Sequence, residues 1–184
     1  MRSGIRAVVG AALLCGGVVG GLASTASASS ASGPTKVFVK PTETTSVKHP
    51  GKILLTGAVG DYGTVISANA AGKATRKGTY RLLRLKKGTI LVDIATFQKA
   101  LESSFTSPTA LDQTTCSIAV SPTGPVAVVS GTGSYSGISG SFTMTAFVAG
   151  IAPRTASGAC TVKTTTAPLA TFTVITGTGT VTVP

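Results

Sequence analysis

The chain has no tryptophan, one histidine and only five acidic residues among 184. Each shortage removes a class of chemistry. A closed zinc site takes four Cys or His ligands. With Cys15 in an apolar leader, His49, Cys116 and Cys160 fall short of that set. A Ser-His-acid triad would need His49, in the polar turn Lys48-His49-Pro50-Gly51. Its orienting acid could only be Glu43, Asp61, Asp93, Glu102 or Asp112. An exposed loop histidine is the plainer reading. Strong helix formers other than alanine are also scarce, whereas Thr, Val, Ser and Gly abound, which points to an all-β domain.

The scarce acids face 16 Lys and Arg, giving a net charge of +11. The basic residues are unevenly spread. Lys73, Arg76, Lys77, Arg81, Arg84, Lys86 and Lys87 crowd one segment, whereas Asp112, Arg154 and Lys163 are alone in the stretch after Ser103. A basic face attracts polyanions through its long-range field. The segment is therefore a candidate patch for an anionic envelope polymer. Tyr80 is its only aromatic, so base stacking is weak and specific nucleic-acid binding is not expected. The competing reading is a solvated face that keeps the protein soluble.

The first residues read as an export signal. Arg2 and Arg6 precede an apolar run from Ala7 to Val19, and Ala26-Ser27-Ala28 is a small-x-small cleavage site. The run is shorter than the roughly 20 residues of a membrane-spanning helix and is diluted by glycine. Cys15 sits in Leu13-Leu14-Cys15-Gly16, but a lipoprotein signal wants a small residue where Leu14 stands. The expected organisation is a signal peptide over 1–28, a flexible tail over 29–35 and one domain over 36–184. The mature chain would be secreted or wall-associated, with no membrane span. Loss of Arg2 and Arg6 would lower its charge from +11 to about +9. Cys116 and Cys160, an even pair in an exported chain, read as a disulfide. Two free thiols or a metal pair are the alternatives.

Short β-like runs succeed one another with turn signals between them. Strands are expected at 36–40, 53–59, 64–69, 79–85, 89–95, 114–120, 125–130, 142–148, 159–165, 169–176 and 180–183. Tight turns fall at Gly60-Asp61-Tyr62-Gly63, Lys86-Lys87-Gly88 and Pro122-Thr123-Gly124-Pro125. In 79–85 strict alternation puts Arg81, Leu83 and Leu85 on one face and Tyr80, Leu82 and Arg84 on the other. Either a bulge between Leu82 and Leu83 shifts the register, or both faces are covered. Phe97, Ala100, Leu101 and Ser104 recur at helical spacing, so one short helix capped by Thr96 is expected to close an end of the sheet. The fold expected is an antiparallel barrel of about eight strands, with a two-sheet sandwich as the alternative.

The most distinctive stretch is Gly131-Thr132-Gly133-Ser134-Tyr135-Ser136-Gly137-Ile138-Ser139-Gly140-Ser141-Phe142. Its third glycine is one place late for a dinucleotide fingerprint, and no helical period follows to hold a phosphate. Tyr135 stands where a nucleophile elbow needs serine. Gly131, Gly133, Gly137 and Gly140 are read instead as the corner between two strands. Tyr135 folds over a barrel end there and Ile138 tucks inward. A second Gly-Thr-Gly at 177–179 hints at a repeat and is read as a bend.

This stretch, through Thr143, resembles a glycine-rich signature of exported actinobacterial proteins similar to the allene oxide cyclase and dirigent barrels. Leu85-Lys86-Lys87-Gly88-Thr89-Ile90-Leu91-Val92 resembles the apolar–Lys-Gly-Thr–apolar hairpin of the same family, and Cys116 suits its pattern. The resemblance covers about residues 79–148. It implies an eight-stranded antiparallel barrel with a central cavity, often oligomeric. The cyclases act on a fatty-acid epoxide and dirigent proteins steer radical coupling. No functional residue of theirs maps onto a position here.

Three functions follow. The first is a secreted, non-catalytic barrel that binds a small apolar molecule or acts at the cell envelope. The second is a cyclase-like isomerase drawing on Tyr62, Tyr80 or Tyr135. The third is polyanion binding through residues 73–87. No cofactor motif is present.

Overall fold

The computed structural model describes residues 31–42, 48–106, 110–161 and 166–184. The proposed signal peptide and Glu43 lie outside these residues.

The described residues form a closed eight-stranded antiparallel barrel with two extra strands and one helix. The strands are β1 (Ala31–Lys40), β2 (Gly51–Gly57), β3 (Asp61–Ala68), β4 (Tyr80–Leu85), β5 (Gly88–Asp93), β6 (Leu111–Asp112), β7 (Ser117–Val120), β8 (Thr123–Gly133), β9 (Ser139–Ile151) and β10 (Ala170–Val183). The helix α1 (Ala95–Thr106) follows β5. Around the barrel the order is β1-β2-β3-β4-β5-β8-β9-β10, and β10 closes back on β1. The sandwich alternative is thereby excluded, because closure removes the edges that two separate sheets would leave.

Alternation drives the closure. On β2, Ile53 and Leu55 are buried while Lys52 and Leu54 are exposed. On β9, Phe142, Met144 and Ala146 are buried while Ser141 and Thr143 are exposed. Inward side chains from all eight strands make one apolar core. Many outward residues are polar or small, but large apolar side chains are exposed too: a row of Phe38, Leu54 and Tyr62 on three paired strands, and Val129, Phe147, Ile151 and Phe172 on β8, β9 and β10.

Several expectations shift in detail. The stretch 31–35 is the first half of β1, paired with β10 from Ala31↔Val183 onward, rather than a tail. Asp61 opens β3 opposite Leu55 instead of sitting in a turn. No bulge interrupts β4, whose register runs unbroken against β3 and β5. The irregularity lies across the barrel wall, between Leu91 and Val92 against β8. The expected turn at 122–125 is strand from Thr123, because β7 and β8 lie end to end along β9 in one register. The Ala146 N–H donates to Pro122 O across their junction. The second Gly-Thr-Gly is neither bend nor repeat. It lies within β10, where Gly177 and Gly179 make room for Met144 and Phe142. Of the strand expected at 159–165, the described part holds only an isolated bridge between Arg154 and Cys160.

The two barrel ends differ. One end is stitched by short connections and holds the glycine corner and the start of β1. The other end carries the longer connections, including 69–79, α1, β6 and the segment after β9. There the disulfide Cys116–Cys160 ties the approach to β7 to the segment after β9 (S–S 2.00 Å). Helix α1 begins at Ala95, where the Asp93 carboxylate, rather than Thr96, accepts the Ala95 N–H at 2.8 Å.

Candidate ligand-binding cavity

At the stitched end the glycine corner holds a buried pair. Gly133 and Gly137 have φ of 62° and 78°, a region that a β-carbon disfavours. The turn is pinned by Ser134 N–H donating to Lys87 O (2.9 Å) and Ile138 N–H to Tyr135 O (3.1 Å). Gly131 lies against Tyr135, and a β-carbon there would collide with the Tyr135 carbonyl oxygen. Gly140, the second residue of β9, pairs with Val181. Tyr135 is 2% exposed, Ile138 is buried, and the tyrosine hydroxyl donates to Asp61 Oδ2 at 2.6 Å. Asp61 also accepts the Tyr62 N–H at 2.7 Å and the Lys87 N–H at 3.0 Å.

Burial pushes the Asp61 carboxyl upward. Donation from Tyr135 and from the backbone of Lys87, Tyr62 and Lys86 outweighs it, and the carboxyl settles below its ordinary value. Burial, then the bond to Asp61 and its charge, hold the Tyr135 phenol well above its own. One carboxylate thus ties the start of β3, the β4–β5 turn and the corner together.

Toward the other end lies a cavity of about 610 Å³, inside the range of small-molecule sites. Its walls are aliphatic and aromatic, with Ile53, Leu55, Val65, Leu83, Phe142 and Met144 among them. Helix α1 adds Phe97, Gln98, Leu101 and Phe105, so one helix face forms a cover. Neither Asp61 nor Tyr135 lines this space. The groups that give it polarity are Lys40, Thr42, Arg81, Gln98, Thr171 and Thr173.

Arg81 is the unexpected member. It points inward with Leu83, half-buried, and its Nη1 donates to Gly78 O (2.8 Å) and Tyr80 O (2.9 Å). Burial lowers its pKa from the ordinary value. Gln98 Nε2 donates to Glu102 Oε1 at 2.9 Å, which leaves Gln98 Oε1 buried with no hydrogen-bond partner.

The basic segment runs from one end of the barrel to the other along β4. Lys73, Arg76 and Lys77 lie on the connection between β3 and β4, at the cavity end. Lys86 and Lys87 lie on the β4–β5 turn, at the stitched end, with Lys86 Nζ 5.6 Å from the Tyr62 ring centre. Arg84 faces outward on β4 and Arg81 inward. A six-residue strand of roughly 20 Å separates the two groups.

His49 is exposed on the connection between β1 and β2. Each described acid has a structural role. Asp61 anchors the corner, Asp93 caps α1 and Glu102 holds Gln98. Asp112 accepts from Thr114 and Thr115 N–H. Among the described residues no group of three or more His, Cys, Asp and Glu gathers, and no helix is long and apolar enough to cross a membrane. No family model, no curated protein and no solved structure matches the chain.

Proposed function

We propose that the protein is a secreted, non-catalytic barrel that holds a small apolar ligand in the cavity beneath α1. The observation that carries this reading is the space itself: about 610 Å³, walled by aliphatic side chains and covered by one helix. Burying apolar area in such a site yields roughly 25 cal/mol per Å². The apolar leader and the disulfide fit an exported protein, because such bridges persist in oxidising compartments. The cyclase-like reading ranks behind. Proton transfer would need an acid or base facing the ligand, whereas the barrel's inward carboxylate and tyrosine bond each other away from the cavity. Polyanion binding ranks third, because the charges are divided between two ends.

The test fills the space. Leu83→Trp puts an indole into the cavity. A neutral, environment-sensitive apolar dye should brighten with the parent protein and not with the variant, while far-ultraviolet circular dichroism stays unchanged. Equal brightening by both would sink the cavity reading. Native mass spectrometry after exposure to a lipid extract would then identify the natural ligand.

A further inference from the structure

An apolar cavity has no need of a cation in its wall. Withdrawing a guanidinium from water costs several kcal/mol unless an anion compensates. Among the described residues no carboxylate pairs with Arg81. Its partners are two neutral carbonyls on one nitrogen, and Asp61, Asp93, Glu102 and Asp112 are engaged elsewhere. Those carbonyls fix the plane of the guanidinium and leave Nε and Nη2 uncommitted. A second orphan lies on the same lining. Gln98 Oε1 is buried and unpartnered, and the Nε2 bond to Glu102 sets which amide atom is left over. Lys40 adds a second cation to the lining, and among the described residues no acid lines it.

From the two cations, with Arg81 the half-buried one, we infer that the mouth of the cavity contains an anion subsite built on Arg81, and that the ligand is an amphiphile with one anionic head and an apolar body. This rests on the cavity reading and names the ligand class within it. The apolar body fills the space between β2, β3, β4 and β9. The head meets the free edge of the guanidinium, which presents paired donors to a carboxylate or similar group. Arg81 sits near the start of β4, so the head lies at the cavity end of the barrel and the tail points toward the glycine corner. A neutral or cationic head would leave the guanidinium desolvated and unpaired.

Three probes with the same chain separate the possibilities: dodecanoate, dodecanol and dodecylammonium, titrated by calorimetry into delipidated, oxidised protein at mildly alkaline pH. The expected order is dodecanoate first, by about tenfold or more over dodecanol, and dodecylammonium last. In Arg81→Gln the dodecanoate affinity should fall to that of dodecanol. Arg81→Lys should keep part of the preference, because a point charge remains without the planar fork. Equal binding of acid and alcohol by the parent protein would overturn the subsite and leave the cavity intact. Parallel weakening of both ligands in Arg81→Gln would overturn it too. Binding of neither would remove the cavity reading and the subsite together. The acid-to-alcohol ratio of the parent protein needs no variant, so a folding defect in Arg81→Gln does not blunt the test.

Discussion

A single buried carboxylate organises one end of this barrel. Asp61 receives donors from the tyrosine hydroxyl and from neighbouring backbone amides, all of which need an acceptor. Tyr135→Phe removes the charge-assisted bond and should cost about 1.5–3 kcal/mol, read by chemical denaturation. The pH dependence follows from the two shifts. Asp61 is held below its ordinary value, so its contribution is present above the usual carboxylate range and is lost as pH falls through it. Tyr135 is held above its own, so stability is full below about pH 10 and declines above it, where the unfolded tyrosine ionises first. The melting temperature of Tyr135→Phe should therefore fall less steeply than that of the parent at alkaline pH, and identical slopes would refute the pairing. The role of the glycines and the inward turn of Tyr135 and Ile138 were legible in the sequence. The partner was not. Asp61 reads as a turn residue because it follows Gly60, and only the pairing with Leu55 turns it inward.

Among the elements, β4 and α1 together decide what the cavity is. The period of β4 already placed Arg81 with Leu83 and Leu85. The bulge was the alternative that spared an arginine from facing inward, and the unbroken ladder rules it out. Sequence pattern carries the face of a strand but not the free energy that tolerates a cation on it. Helix α1 was legible from its apolar spacing. Its role as a cover was less so, because Phe97 finds its place against Gly124 of β8, distant in the chain. Phe97→Ala should cost about 3–5 kcal/mol and open the cover. Stopped-flow release of the bound neutral dye should then accelerate. An unchanged release rate would mean that α1 does not gate the cavity.

At the scale of the whole molecule, the disulfide bears on the wide end. It closes a separation of 44 residues between the approach to β7 and the segment after β9, worth on the order of 4 kcal/mol in the chain-entropy account. Cys116 has φ of 56°, an uncommon region for a residue other than glycine, held there by the surrounding packing. Replacing both cysteines by serine should lower the melting temperature by several degrees or more. It should also speed amide exchange in 152–161 more than at the glycine corner, as measured by mass spectrometry; uniform acceleration would count against a local role. The pairing was legible from cysteine number and the leader. Barrel closure was legible as a class only. The meeting of β10 with β1 joins the ends of the described chain, and no local pattern reports so distant a contact.

That meeting has a practical sequel. Ala31 pairs with Val183, and Pro184 rests over Gly137, so both described ends leave from the stitched side. Immobilised on a sensor chip or a bead through a tether at Ala31 or Pro184, the barrel would stand with its opening toward the solution. A fusion partner at the carboxyl end would sit far from arriving ligand, and the protein lends itself to oriented display without redesign.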